Sequence, residues 1–192
     1  MIVLIIVLIA SVLLFPLGWA LFHRHRMLKR LRTKCESLGF EWKPLHKGVL
    51  FSRNLSKNYD LCIEGGGVVF WIKLWSCIHR GTTLLIDEEG RIRQGRRYRI
   101  PIAKDEQQSG ERWHYARHRR VPKTVCKEPA SENKETVLVL LNYPTYDRVI
   151  RRSKRQDQAV LNGSLVFGKK FYTPSAFEAE LMRLALTKSR AG

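Results

Sequence analysis

Cysteine is scarce in this chain and never closely paired. Cys35, Cys62, Cys77 and Cys126 are the four among 192 residues, and no CxxC pair occurs. That spacing excludes a zinc knuckle and a dense disulfide framework. Acid is scarce as well: 17 Asp and Glu face 35 Lys and Arg, for a net charge of +18. An excess of this size draws polyanions or acidic lipid and says nothing about fold. No fixed-period repeat and no low-complexity tract is present, so a modular array is excluded. Gly65, Gly66 and Gly67 are followed by neither Lys-Ser nor Lys-Thr, so they do not form a phosphate loop. Ser164 and the other serines lack the spacing of a nucleophile elbow.

Charge is wholly missing from one further stretch. Ile2 to Phe22 is 21 residues without a charged side chain, and the block HRHRMLKRLRTK follows at once. That block carries Arg24, Arg26, Lys29, Arg30, Arg32 and Lys34 and no acid. At a rise of about 1.5 Å per residue such a helix reaches roughly 32 Å, the thickness of a bilayer's hydrocarbon core. A signal peptide would need a charged start, a shorter apolar core and a small-residue cleavage site. This chain begins MIVLII, and its weak site, Gly18-Trp19-Ala20, stands before a basic stretch that is difficult to translocate. The pattern therefore predicts an anchor over 1–23 and a basic juxtamembrane helix over 24–38. Lys and Arg beside a span are held on the cytoplasmic side. The expected location is the cell membrane, single-pass, with the N-terminus outside and residues 39–192 in the cytoplasm, where the four thiols stay reduced.

Residues 39–192 read as one mixed α/β domain. Leu28, Leu31, Cys35 and Leu38 fall at helical spacing, with Gly39 placed as a C-cap. FEWKPL, GVLF and YDLCIEG are short extended segments. VVFWIKLW is a strand with Val68, Phe70, Ile72 and Leu74 on one face and Val69, Trp71, Lys73 and Trp75 on the other. TTLLI and RIRQGRRYRI flank DEEG, a hairpin turn, and 101–134 is a polar surface loop. TVLVLLN is a further strand, Tyr146 to Arg155 a short basic helix, and SLVFGKKFY a strand after the turn Asn162-Gly163. The chain finishes in a helix with Pro174 in its first turn, Ser175 and Glu178 as a capping box, and Phe177, Leu181 and Leu184 as its buried stripe.

The cations gather in three places: the juxtamembrane block, the stretch Arg91 to Lys127, and Arg148 to Arg155. Arg24, Arg26, Lys29, Arg30 and Arg32 suit anionic headgroups, each worth on the order of 1 kcal/mol near the surface. Arg91, Arg93, Arg96, Arg97 and Arg99, with Arg117, Arg119 and Arg120, suit either a lipid-facing surface or nucleic acid. A helix through WHYARHRR would bring His114 and His118 to one face, but the neighbouring arginines would repel a metal ion.

The run LGFEWKPL…FSRNLSKNYDLCIEGGGVVFWIKLW, with VLVLLNYP and LNGSLVFGKKFYTPSAFEAEL, resembles a group of single-pass membrane-anchored proteins of unknown function built around YD-x-x-IE and KLF/W. The layout of a helix followed by strands bearing an acid and then a lysine is also similar to the restriction-endonuclease-like fold. In that family an Asp ends one strand and an acid-x-Lys triplet occupies the next, holding magnesium at a phosphodiester. The resemblance implies Asp60 as the first acid and Lys73 as the lysine. Trp71 stands where the second acid belongs, and Glu64, on the same strand face as Asp60, is the substitute ligand. The plain alternative is a cross-strand ion pair between Asp60 and Lys73, with Glu64 exposed at the turn.

Two functions follow. The first is a non-catalytic, membrane-anchored basic module without a cofactor, binding an anionic partner that is the membrane surface, a protein or nucleic acid. The second is a membrane-tethered, Mg-dependent nuclease, intact or degenerate, centred on Asp60, Glu64 and Lys73.

Overall fold

The computed structural model describes residues 2–46, 49, 58–75, 82–86, 92–96, 119–121, 134–142, 148–152 and 157–191. In chain order these hold α1 (Ile2–Ser37), β1 (Glu41–Pro44), β2 (Leu61–Gly65), β3 (Val68–Trp75), β4 (Thr82–Ile86), β5 (Ile92–Arg96), β6 (Arg119–Val121), β7 (Glu135–Asn142), β8 (Arg148–Arg152), β9 (Asp157–Ala159), β10 (Leu165–Val166), β11 (Lys169–Tyr172) and α2 (Pro174–Ala191). The fold is mixed α/β, with two helices and mixed sheets among the described residues.

α1 carries the apolar run and the basic block in one helix of 36 residues. It stops where expected. Gly39 takes φ +74°, a left-handed conformation that costs glycine little. Gly39 N then donates to Glu36 O at 3.1 Å and Phe40 N to Cys35 O at 2.9 Å, satisfying two carbonyls of the last turn. Phe15 and Phe22 are exposed. Among the described residues no helix is long and apolar enough to cross a membrane. The span expected over 1–23 therefore rests on its sequence.

The chain divides into two compact units: 1–78 with 124–145 and 161–192, and 79–123 with 146–160. The first unit holds a six-stranded sheet in the order β1-β2-β3-β7-β11-β10. β1, β2 and β3 are antiparallel neighbours, whereas β3–β7 and β7–β11 are parallel. Alternation along β3 gives the faces read from the sequence, and β7 lies beside it in parallel register. Leu61, Ile63, Val68, Phe70, Ile72, Leu74, Val139, Leu141 and Tyr172 join Met27, Leu31 and Cys35 of α1 and Phe177 and Leu181 of α2 in one core. Helical spacing is what places those α1 and α2 residues on single stripes. Val49 and Phe40 close the cluster.

The second unit holds a five-stranded sheet in the order β6-β5-β4-β8-β9, with β4 and β8 parallel and the other pairs antiparallel. Thr83, Leu84, Leu85 and Ile86 are consecutive and all buried, so the central strand is covered on both faces. The chain passes from the first unit to the second after Trp75 and again after Asn142.

Four local expectations are corrected. Arg148–Arg152 is the parallel strand β8 and not a short helix, because Val149 and Ile150 are buried beside Leu84 and Leu85. Arg119–Val121, expected within a loop or a helix, is a strand against β5. SLVFGKKFY is two strands joined at Phe167 and Gly168, whose φ of 53° and 75° are those of a tight hairpin turn. Glu178 does not reach back to Ser175; it bonds Arg30 of α1, while Phe177 N donates to Thr173 O at 2.9 Å. The DEEG turn, GVLF apart from Val49, and the rest of 101–134 lie outside the described residues.

Candidate functional site

β2 and β3 position the central pair. Leu61 faces Ile72 in register, so the preceding residue, Asp60, comes level with Lys73 on the same face of the sheet. Asp60 N donates to Ile72 O at 2.9 Å, which carries the pairing one residue beyond the strand. Lys73 Nζ lies 3.1 Å from Asp60 Oδ2 and 3.3 Å from Oδ1, and also donates to Asn58 O at 3.1 Å. Leu74 N donates to Asp60 Oδ2 at 2.8 Å. Both side chains have no exposed surface. The pair is a closed, buried ion pair and not the rim of a cleft.

His46 completes the cluster, with Nε2 at 2.9 Å from Asp60 Oδ1 and its ring one-third exposed. No sequence signal marks it. It reaches Asp60 only because Pro44 pairs with Leu61 and Leu45 N then donates to Asp60 O. Arg24 lies on the buried stripe of α1 that continues to Met27 and Leu31. Burial pushes its pKa below the ordinary guanidinium value, and the negative charge of Asp60 opposes that fall.

Glu64 is elsewhere. It ends β2 against the glycine turn, pairs with Lys134, and lies 3.5 Å from Lys43. The Lys134 hydrogen bond, more than any other influence, holds its carboxyl below the usual glutamate range. Trp71, where the resemblance would need an acid, packs edge-on against Tyr59 with ring centroids 6.0 Å apart. Among the described residues no three His, Cys, Asp or Glu side chains are placed to hold a metal ion. Magnesium does not fit what is here: both oxygens of Asp60 are engaged, and Glu64 is held by lysines at the opposite end of the strand.

The binding candidates separate into three sets. Arg26, Lys29, Arg30 and Arg32 are exposed on α1, whereas Arg24 is buried. Arg30 pairs with Glu178 and Arg32 with Glu36. In the second unit Arg93 and Arg96 belong to β5 and Arg119 and Arg120 to β6, with Arg93 directly opposite Arg120 in register. Arg91, Arg97, Arg99 and Arg117, like His114 and His118, lie outside the described residues. The second unit carries 17 Lys and Arg against 8 Asp and Glu, a net +9, half of the chain's +18.

Cys35 and Cys62 are free and buried. Burial pushes the Cys35 thiol up to about 12, with the charges of Glu178 and Glu36 adding to the rise. This thiol is a packing group and not a nucleophile. No family model, no curated protein and no solved structure matches the chain.

Proposed function

We propose that this chain is a membrane-anchored, non-catalytic basic module whose cytoplasmic part binds the anionic leaflet it is tethered to. The observation that carries the reading is the continuity of α1. One helix joins the uncharged run Ile2–Phe22 to the core stripe Met27, Leu31 and Cys35. The anchor is thereby coupled to the folded domain without a flexible linker. The outward cations Arg26, Lys29, Arg30 and Arg32 fall next to the headgroups, where each contributes on the order of 1 kcal/mol. Trp19, tilted against His23 with centroids 3.9 Å apart, suits the aromatic belt of a bilayer interface. Tethering keeps the second unit's positive charge at high local concentration near the lipid, so weak contacts stay populated.

The enzyme reading has one observation in its favour, the convergence of Asp60 and Lys73. Against it stand the complete burial of that pair, the separation of Glu64 and the indole at position 71. A restriction-endonuclease-like fold stays with that second reading, as does magnesium.

The experiment uses the full chain expressed in a membrane. The module reading expects the chain in the carbonate-resistant pellet and its C-terminal part protected from protease added to intact cells. With labelled DNA or RNA and Mg²⁺ it expects no cleavage, and any retention should fall steeply with salt. Cleavage abolished by both Asp60→Ala and Lys73→Ala would replace it with the nuclease.

A further inference from the structure

The two ends of the first unit differ in chemistry, and α1 fixes their order. At one end the β2–β3 turn is tight: a Cβ on Gly65 would meet the Phe40 ring at 2.5 Å, and Phe40 follows directly on the end of α1. At the other end Asp60 acts on Arg24, earlier on the same helix. α1 therefore runs along the unit from the Asp60 end to the Gly65 end. Strand direction agrees. α1 turns back through Gly39 into β1, whose last residue, Pro44, pairs with Leu61 beside Asp60. β3 and β7, parallel and in register from Val68–Glu135 to Trp75–Asn142, also finish at that end. Whatever precedes Arg24 continues beyond the Asp60 end.

The surfaces at the two ends are unlike. The Asp60 end exposes Leu45 at 40% and His46 at 34%, with His25 and Arg26 on the outward side of α1. The Gly65 end carries Glu41, Glu64 and Glu135, with Lys43 paired to Glu41 and Lys134 paired to Glu64. Asp60 is level with Lys73 and Gly65 with Val68, five residues of β3 apart, which at about 3.3 Å each holds the ends roughly 17 Å apart. That exceeds the roughly 8–10 Å over which a charged surface is felt in physiological salt.

We propose that the Asp60 end is a membrane-facing surface, on which Leu45 and His46, with His25 and Arg26, meet the anionic headgroups of the leaflet holding Ile2–Phe22. The inference rests on the anchor reading above and adds an orientation to it. Leu45 supplies apolar contact at headgroup depth. Arg26 beside it complements acidic lipid, and the Gly65 end, where Glu41 and Glu64 are paired with Lys43 and Lys134, is kept away from the surface. The buried Asp60–Lys73 pair lies behind this face and holds the turn that presents His46.

The test places a photo-crosslinking amino acid at position 45 or position 135 of the full chain, both exposed sites. Each variant is reconstituted in phosphatidylcholine vesicles containing phosphatidylserine, and lipid adducts are measured by mass spectrometry. Position 45 should give at least about fivefold more adduct than position 135, because the crosslinker reacts only on contact and the latter lies roughly 17 Å further along the sheet, and the excess should shrink without phosphatidylserine. Equal adducts in a carbonate-resistant pellet overturn the orientation alone. Recovery of the chain in the carbonate supernatant overturns the anchor, and the orientation with it.

Discussion

Asp60 and Glu64 stand on one face of one strand, and each is paired with a lysine, yet the two ends of the β2–β3 hairpin are physically unlike. Lys73 and Asp60 have no exposed surface. Glu64 is 26% exposed and its partner Lys134 49%. Water screens the second pair and cannot reach the first. A buried pair repays its desolvation only while every member is present, whereas an exposed pair contributes little either way. Burial, rather than proximity of opposite charges, separates the structural acid from the surface acid.

Asp60→Ala should have the largest effect. It leaves Lys73 buried without its carboxylate and should cost about 3–5 kcal/mol, read as a fall in the melting temperature of the reconstituted chain. The double variant Asp60→Leu with Lys73→Met should recover most of that loss, since a buried pair replaced by apolar groups is often neutral. A double variant as unstable as the single one would assign the cost to lost hydrogen bonds instead.

At the other end of the hairpin the next largest effect is steric. Gly65→Ala drives a methyl group into the Phe40 ring and should cost about 1–3 kcal/mol by overpacking. Phe40→Leu in the same chain should relieve part of it. Glu178→Gln tests an intermediate case, an acid 10% exposed against an arginine 69% exposed. The expected loss is about 1 kcal/mol, and its size relative to Asp60→Ala measures how steeply burial scales the pair.

Glu64→Gln should be the smallest change, a slight fall in the melting temperature at neutral pH. Its signature is in pH. The folded-state pKa of Glu64 is lowered from 4.5, first by the Lys134 hydrogen bond. Its contribution is thus present above the unfolded value and lost as pH falls through the folded one. The native chain should lose stability below pH 4.5 with a slope that Glu64→Gln reduces. An unchanged slope would remove Glu64 from the acid response.

Much of this was legible in residue order. Alternation in VVFWIKLW gave both faces of β3, and helical spacing gave the stripes Leu31–Cys35 and Phe177–Leu181. Glycine at 39 marked the end of α1 because a left-handed residue was required there. The failures share a cause. RVIRR carries the charge pattern of a basic helix and becomes β8 only because β4 offers a parallel edge. Ser175 and Glu178 have capping-box spacing, yet Arg30, far away in sequence, takes the carboxylate. His46 could not be found at all, since its link to Asp60 depends on β1 lying beside β2.

Local periodicity and composition were enough to specify an uncharged run, a strongly cationic remainder, the faces of β3 and the stripes of both helices. Those depend on side-chain chemistry repeated along a few turns. The strand positions of Asp60 and Lys73 already implied their ion pair, but tertiary structure buried it completely, brought His46 to it and turned Glu64 to Lys134. It also decided that 79–123 and 146–160 build a separate sheet. Each outcome turns on which strand edge or side chain arrives from distant sequence, and on how much water that arrival excludes.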